Sequence, residues 1–282
     1  MHCDAGTALF RDHCTGAAWE IVTTEAYALS ALAHMGELAE LGRRLPAAIR
    51  DADERGDVYG QIGYRAGVPG MHWLAQDRPA YGRRLADEAI ARWPTRPGAF
   101  HIQHYLHLIA TVQADLYEGD GAGAWRHMCE AWSGLRRGLF LQLETVGVEL
   151  RFLRGRAALA AAATADARTR RRLHRVVARD VVRIARQRVP TARPFADLLR
   201  AALAWNAANG DGAVPLLAAA ATGFVRADMA LHAAAARHRE GTLRGDDVGH
   251  ALVATSEAWL RTQGIERPDA MVAMLVPGGQ RP

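Results

Sequence analysis

Apolar side chains recur along this chain at three- and four-residue steps, and no segment alternates apolar with polar positions as a half-buried strand would. In residues 20–35, Ile21, Tyr27, Ala28, Leu32 and Met35 follow helical spacing, and Gly36 ends the segment. Leu38, Leu41, Leu45 and Ile49 define the next helix, which runs to Gly56 and Asp57. A glycine there can take the left-handed conformation that closes a helix, and an aspartate can cap the one that follows. Pro46 is expected to kink the second helix.

The same punctuation returns at Gly119-Asp120, Gly210-Asp211 and Gly245-Asp246, each pair between two apolar-periodic segments. Gly210 and Gly245 are 245 − 210 = 35 residues apart, close to the roughly 34-residue period of tetratricopeptide repeats. Four helices are predicted around them, at 195–208, 213–226, 230–243 and 248–263, pairing as two hairpins. Phe224, Met229, Leu231, Trp259 and Leu260 are their large side chains, set as core among alanines that allow close helix approach.

The middle is less regular. Helices are predicted at 81–93, 102–117, 124–135, 139–165 and 169–188, with breaks at Pro79, Pro94, Pro97, Gly119, Gly138 and Pro190. The glycine-rich residues 60–70 predict a helix broken near Gly67-Val68-Pro69-Gly70. The expected fold is all-α, a tetratricopeptide-like solenoid of antiparallel helix hairpins. Residues 1–190 form an irregular helical-repeat region, and 191–282 add two tetratricopeptide-like hairpins and a C-terminal tail, continuous with the first part.

Composition agrees with that picture. Half the residues are apolar but only 7% are aromatic, which suits helices packed over small side chains. All 35 positive side chains are arginines, so no lysine is available for a Walker-type phosphate loop, a kinase strand lysine, a Schiff base or a lysine general base. Cys3, Cys14 and Cys129 give an odd count without paired spacing, read as reduced thiols in a cytoplasmic protein, with Cys129 expected to be a buried thiol. No signal peptide or membrane span is read, so no membrane partner is expected. The net charge of +5 is small for this length and is concentrated between Arg168 and Arg188. That run reads as a solvated helix face; without interleaved aromatics, nucleic-acid binding is the lesser reading.

His101, His104 and His107 place three imidazoles at steps of three. They spread over a broad helical face and lack the glutamate of a His-Glu-x-x-His metal site, so a metal-dependent helical enzyme is only an alternative. His2-Cys3 and His13-Cys14 lack the spacing of a zinc knuckle. The acids at 51–54 and 246–247 sit at predicted helix ends, where they act as caps and dipole partners. No cofactor is expected.

Several phrases resemble one family. Residues 36–41 (Gly-Glu-Leu-Ala-Glu-Leu) and 50–57, His101 to Tyr105, Asp115 to Asp120 followed by Trp125, Ala227 to Leu231, and the ending Met271 to Gly278 are similar to the far C-terminal region of large, myxobacterial-type bacterial serine/threonine kinases. In that family a kinase domain precedes an ATPase-like module and a long tetratricopeptide-like array. The resemblance implies that this chain corresponds to the array alone, with any kinase chemistry upstream of Met1. The family's Val-Ala-Ile-Lys strand, His-Arg-Asp loop and Asp-Phe-Gly have no counterpart here. The expected function is therefore a non-catalytic scaffold for protein–protein interaction, binding a peptide, a partner domain, or a kinase or ATPase module in cis. Tyr64, His72, Trp73, His101, His104, Tyr105 and Arg151 are the expected groove residues.

Overall fold

A computed structural model describes residues 2–96, 98–207 and 210–278. The expected break at Pro97, the end of the predicted helix at Ala208, residue Met1 and the last tail residues, 279–282, lie outside the described residues. The described residues are all-helical, with no strand. In chain order the helices are α1 (His2–His13), α2 (Ala18–Met35), α3 (Leu38–Glu54), α4 (Val58–Arg65), α5 (Met71–Ala75), α6 (Pro79–Ile90), α7 (Ile102–Tyr117), α8 (Gly121–Arg137), α9 (Glu144–Thr164), α10 (Ala167–Ala185), α11 (Ala192–Asn206), α12 (Gly210–Arg226), α13 (Ala230–Arg244), α14 (Asp247–Thr262) and α15 (Pro268–Leu275). None is long and apolar enough to cross a membrane.

The glycine–aspartate pairs do what their chemistry dictates. Gly56, Gly119 and Gly245 have positive φ, and the aspartates after them accept from the backbone nitrogens of Gly60, Gly123 and Gly249 at 3.0, 2.8 and 2.7 Å, capping α4, α8 and α14. The fourth pair differs, since Gly210 opens α12 and Asp211 lies in its first turn. Helix α3 runs continuously through Pro46. In the glycine-rich stretch, α4 stops at Arg65, a 3₁₀ turn spans Val68–Gly70 and α5 follows.

Burial alternates with chain order. Helices α3, α6, α8, α10, α12 and α14 bury one stripe each; in α10 it is Leu173, Val177, Asp180, Val181 and Ile184. Helices α4, α7, α9, α11 and α13 bury residues on most sides, with Gly60 to Tyr64 in α4 and Leu231 to Ala236 in α13 buried without a break. Most successive helices pack as neighbours, and α2 also meets α13, so a late helix of the row lies against an early one. One continuous apolar core runs from Val22 to Val276, and Phe152 and Phe195, with centroids 4.2 Å apart, carry it across residue 190. Buried ion pairs tie the interior helices to the outer ones. Arg154 grips Asp180 through two hydrogen bonds while lying 3.5 Å from the Trp132 ring centroid, and Asp115 takes both Arg83 and His127.

Two helices lack any counterpart in the periodicity. Helix α1 buries only Thr7, while α15 buries six of its eight residues and lies in the interior against α7 and α13. Its C-terminal carbonyls are held by buried guanidiniums: Arg156 donates to Met274 at 3.2 Å and Arg239 to Val276 at 3.0 Å.

Candidate functional site

Where the interior helices converge, they enclose a cavity of about 50 Å³ open to the centre of a water-sized sphere. Helix α2 supplies Ala33 and His34, α7 supplies Tyr105, Ile109 and Gln113, and α9 supplies Glu149, Leu150, Phe152, Leu153 and Arg156. Phe195 of α11, His232 of α13 and Leu275 of α15 complete it with Val68 and Met71.

One side of the cavity is a closed hydrogen-bond relay. The Glu149 carboxylate accepts from the Tyr105 hydroxyl at 3.1 Å and from His34 Nε2 at 2.9 Å, while His34 Nδ1 lies 2.8 Å from the Ser30 carbonyl. Both imidazole nitrogens face oxygen acceptors, an arrangement only the doubly protonated ring satisfies. Burial opposes that charge, but the bond to Glu149, its charge and the Ser30 carbonyl outweigh it and raise the His34 pKa. Burial, reinforced by Glu149, pushes the Tyr105 hydroxyl well above its ordinary value and keeps it a donor. His34 and Glu149 retain 33% and 24% side-chain exposure, which places the cavity mouth beside them.

The opposite side is under-satisfied. Arg156 is 3% exposed, has no ion-pair partner among the described residues, and leaves Nε without a hydrogen bond. Its guanidinium lies over the Phe152 ring, 4.8 Å from the centroid, and burial pulls its pKa down to about 9, so it stays charged at neutral pH. His232 sits among Phe152, Phe195 and Phe224, and burial, with Arg156 and His34 nearby, lowers its pKa to about 3. It is therefore neutral, and its Nδ1 has no partner; neither has the Gln113 Oε1.

A second concavity lies on the surface. It offers about 680 Å³ between the end of α2 and helices α12, α13 and α14, and its floor carries Met35, Met229, Leu252 and Trp259 among alanines. Val225 and Val248, both about half exposed, stand on its walls, and Glu37, Asp228 and Arg237 supply charge.

Of the seven residues expected to line a groove, Tyr105 alone borders the cavity. Tyr64 is buried with its hydroxyl 3.3 Å from the Val22 carbonyl, and His72 and Trp73 are buried against Gly42 and Gly82. Arg151 donates to the carbonyls of Gly147 and Leu141. The histidine face disperses: Trp93 donates to His101, His104 accepts from the His101 backbone nitrogen, and His107 pairs with Asp87. No cluster of metal-capable side chains occurs among the described residues. Cys129 corrects its expectation, being exposed, because it falls outside the buried stripe that holds Ala124, Met128 and Leu135. Partial burial still raises its thiol pKa above the ordinary value, away from reactive thiolate. Arg168, Arg171, Arg172, Arg175 and Arg179 lie on the exposed face of α10.

Apart from Tyr105, the cavity residues escaped sequence reasoning because they come from helices far apart in the chain. One signal was available: Arg156 directly precedes the alanine-rich run of residues 157–165, a place where a cation is costly to bury. No protein-family model, no curated protein and no solved structure matches this chain.

Proposed function

We propose that this chain is a non-catalytic helical scaffold for protein–protein interaction in the cytoplasm. Its antiparallel hairpins are of tetratricopeptide-like kind, and the groove between α12, α13 and α14 receives one apolar face of a partner's amphipathic helix. The carrying observation is that groove: 680 Å³ of open space floored by methionine, leucine and tryptophan, with half-exposed valines on its walls. Methionines and small residues suit an adaptable helix-in-groove contact, and acidic and basic side chains at the edge can set the partner's orientation. The sequence resemblance to the C-terminal array of bacterial serine/threonine kinases supports a kinase or ATPase module as the partner, in cis or in trans. The 35-residue spacing of Gly210 and Gly245 supports the hairpin reading.

The test is selection of displayed amphipathic helical peptides on the whole chain, followed by titration against Val248→Glu combined with Ala251→Glu. Both positions are exposed, so the fold should survive. Selected peptides should lose about tenfold or more in affinity. Unchanged affinity, or no enriched peptide, would sink the proposal.

A further inference from the structure

The interior cavity is a separate matter from the surface groove, because its chemistry is unbalanced. Glu149 and His34 neutralise each other across 2.9 Å. Arg156 is left as the remaining charge bordering the cavity, with five N–H donors, one hydrogen bond to Met274 and no carboxylate in pairing distance among the described residues. A buried guanidinium in that state is unfavourable unless an anion completes it. His232 and Gln113 add unpartnered polar atoms to the same lining, and the walls are otherwise apolar.

We propose that this cavity is a binding site for a small monocarboxylate with a short, branched hydrocarbon body, its carboxylate paired with Arg156 and its body against Phe152, Leu153 and Met71. Size and charge both restrict the ligand. A cavity of 50 Å³ on this measure holds about four waters, hence a molecule of about five or six heavy atoms. One guanidinium matches one carboxylate, whereas a phosphate dianion would bring a second charge against apolar walls. The narrow interior excludes a peptide chain, so the ligand is a free small acid that enters beside His34 and Glu149.

Isothermal titration calorimetry on the whole chain decides the matter, with isobutyrate, its uncharged isostere isobutyramide, and inorganic phosphate as probes. Isobutyrate should bind about tenfold or more tightly than isobutyramide, since only the acid forms a charge-assisted pair, and phosphate should not compete. Arg156→Gln keeps an amide donor for the Met274 carbonyl and should abolish the preference for the acid while circular dichroism shows the helices intact. Equal affinity for acid and amide, no binding of isobutyrate, displacement by phosphate, or an acid preference that survives in R156Q would each overturn the assignment. Should R156Q fail to fold, the comparison of acid with amide on the unaltered protein still settles it.

Discussion

Gly36 stands against Leu231: a Cβ placed on the glycine would lie 2.7 Å from the Leu231 backbone nitrogen and 2.8 Å from its Cβ. Gly36 also has φ +87°, where side chains other than glycine are strained. The residue therefore serves two ends at once, terminating α2 and letting α13 approach. Gly36→Ala should destabilise the protein by about 2 kcal/mol or more, combining backbone strain with the lost contact. Urea unfolding measures it, and a change below about 0.5 kcal/mol would mean the two ends do not press together.

The Arg154–Asp180 pair makes a second prediction. Asp180 is fully buried, and burial raises its pKa against the pull of Arg154. Arg154→Met leaves that carboxyl unpaired, and the expected loss is about 3 kcal/mol. Combining it with Asp180→Leu should recover most of the loss, because no charge then remains buried. Two single variants that add without recovery would show that the pair is not a unit.

His232 gives a pH dependence with a definite sign. Its folded pKa, near 3, lies below the ordinary 6.5, so between those values the unfolded chain binds more protons than the native one. Stability attributable to this neutral ring is complete above 6.5 and falls as the pH drops towards 3, by up to about 1.4 kcal/mol per pH unit. His34, with its pKa raised, acts in the opposite window: its contribution is complete below 6.5 and is lost as the pH rises through its folded value. The difference in unfolding free energy between wild type and His232→Leu, followed from pH 7 to pH 4, should narrow on acidification. A constant difference would contradict a buried neutral imidazole.

Besides its buried apolar side chains, helix α15 is held by specific polar contacts at its ends. Arg239 lies over the Trp205 ring, 5.1 Å from the centroid, and donates to Val276, while Glu266 donates from its backbone to Ala75 at 2.8 Å. Arg239→Met removes the donor to a buried carbonyl at a cost of about 1–3 kcal/mol. Hydrogen exchange at 271–276 should accelerate about tenfold or more, with other helices little changed. Uniform acceleration would show that α15 opens only with the whole molecule.

Much of this fold is written in local chemistry. The boundaries of α7, α13 and α14 follow from apolar spacing and from glycine–aspartate punctuation that acts through geometry within a few residues. Helix α1 is polar and glycine-containing, so nothing in its spacing distinguishes it from coil. Helix α15 is apolar on nearly every side and only two turns long, so it has no stripe to reveal; its helicity comes from burial and from Arg156 and Arg239 at its C-terminus. The cavity was hidden for another reason. His34, Glu149 and His232 meet only because the row of helices returns on itself, a global property that three- and four-residue spacing does not encode.

That return changes how the molecule should come apart. An open stack of helical hairpins melts from its ends, because each unit is held only by its neighbours. Here α2 and α13 clasp each other through Gly36 and Leu231, so the run of helices between them is joined at both ends. Loss of order from α2 to α13 should be cooperative. The clasp joins residues nearly two hundred positions apart in the chain, so its formation also carries a large loop-closure entropy and belongs late in folding.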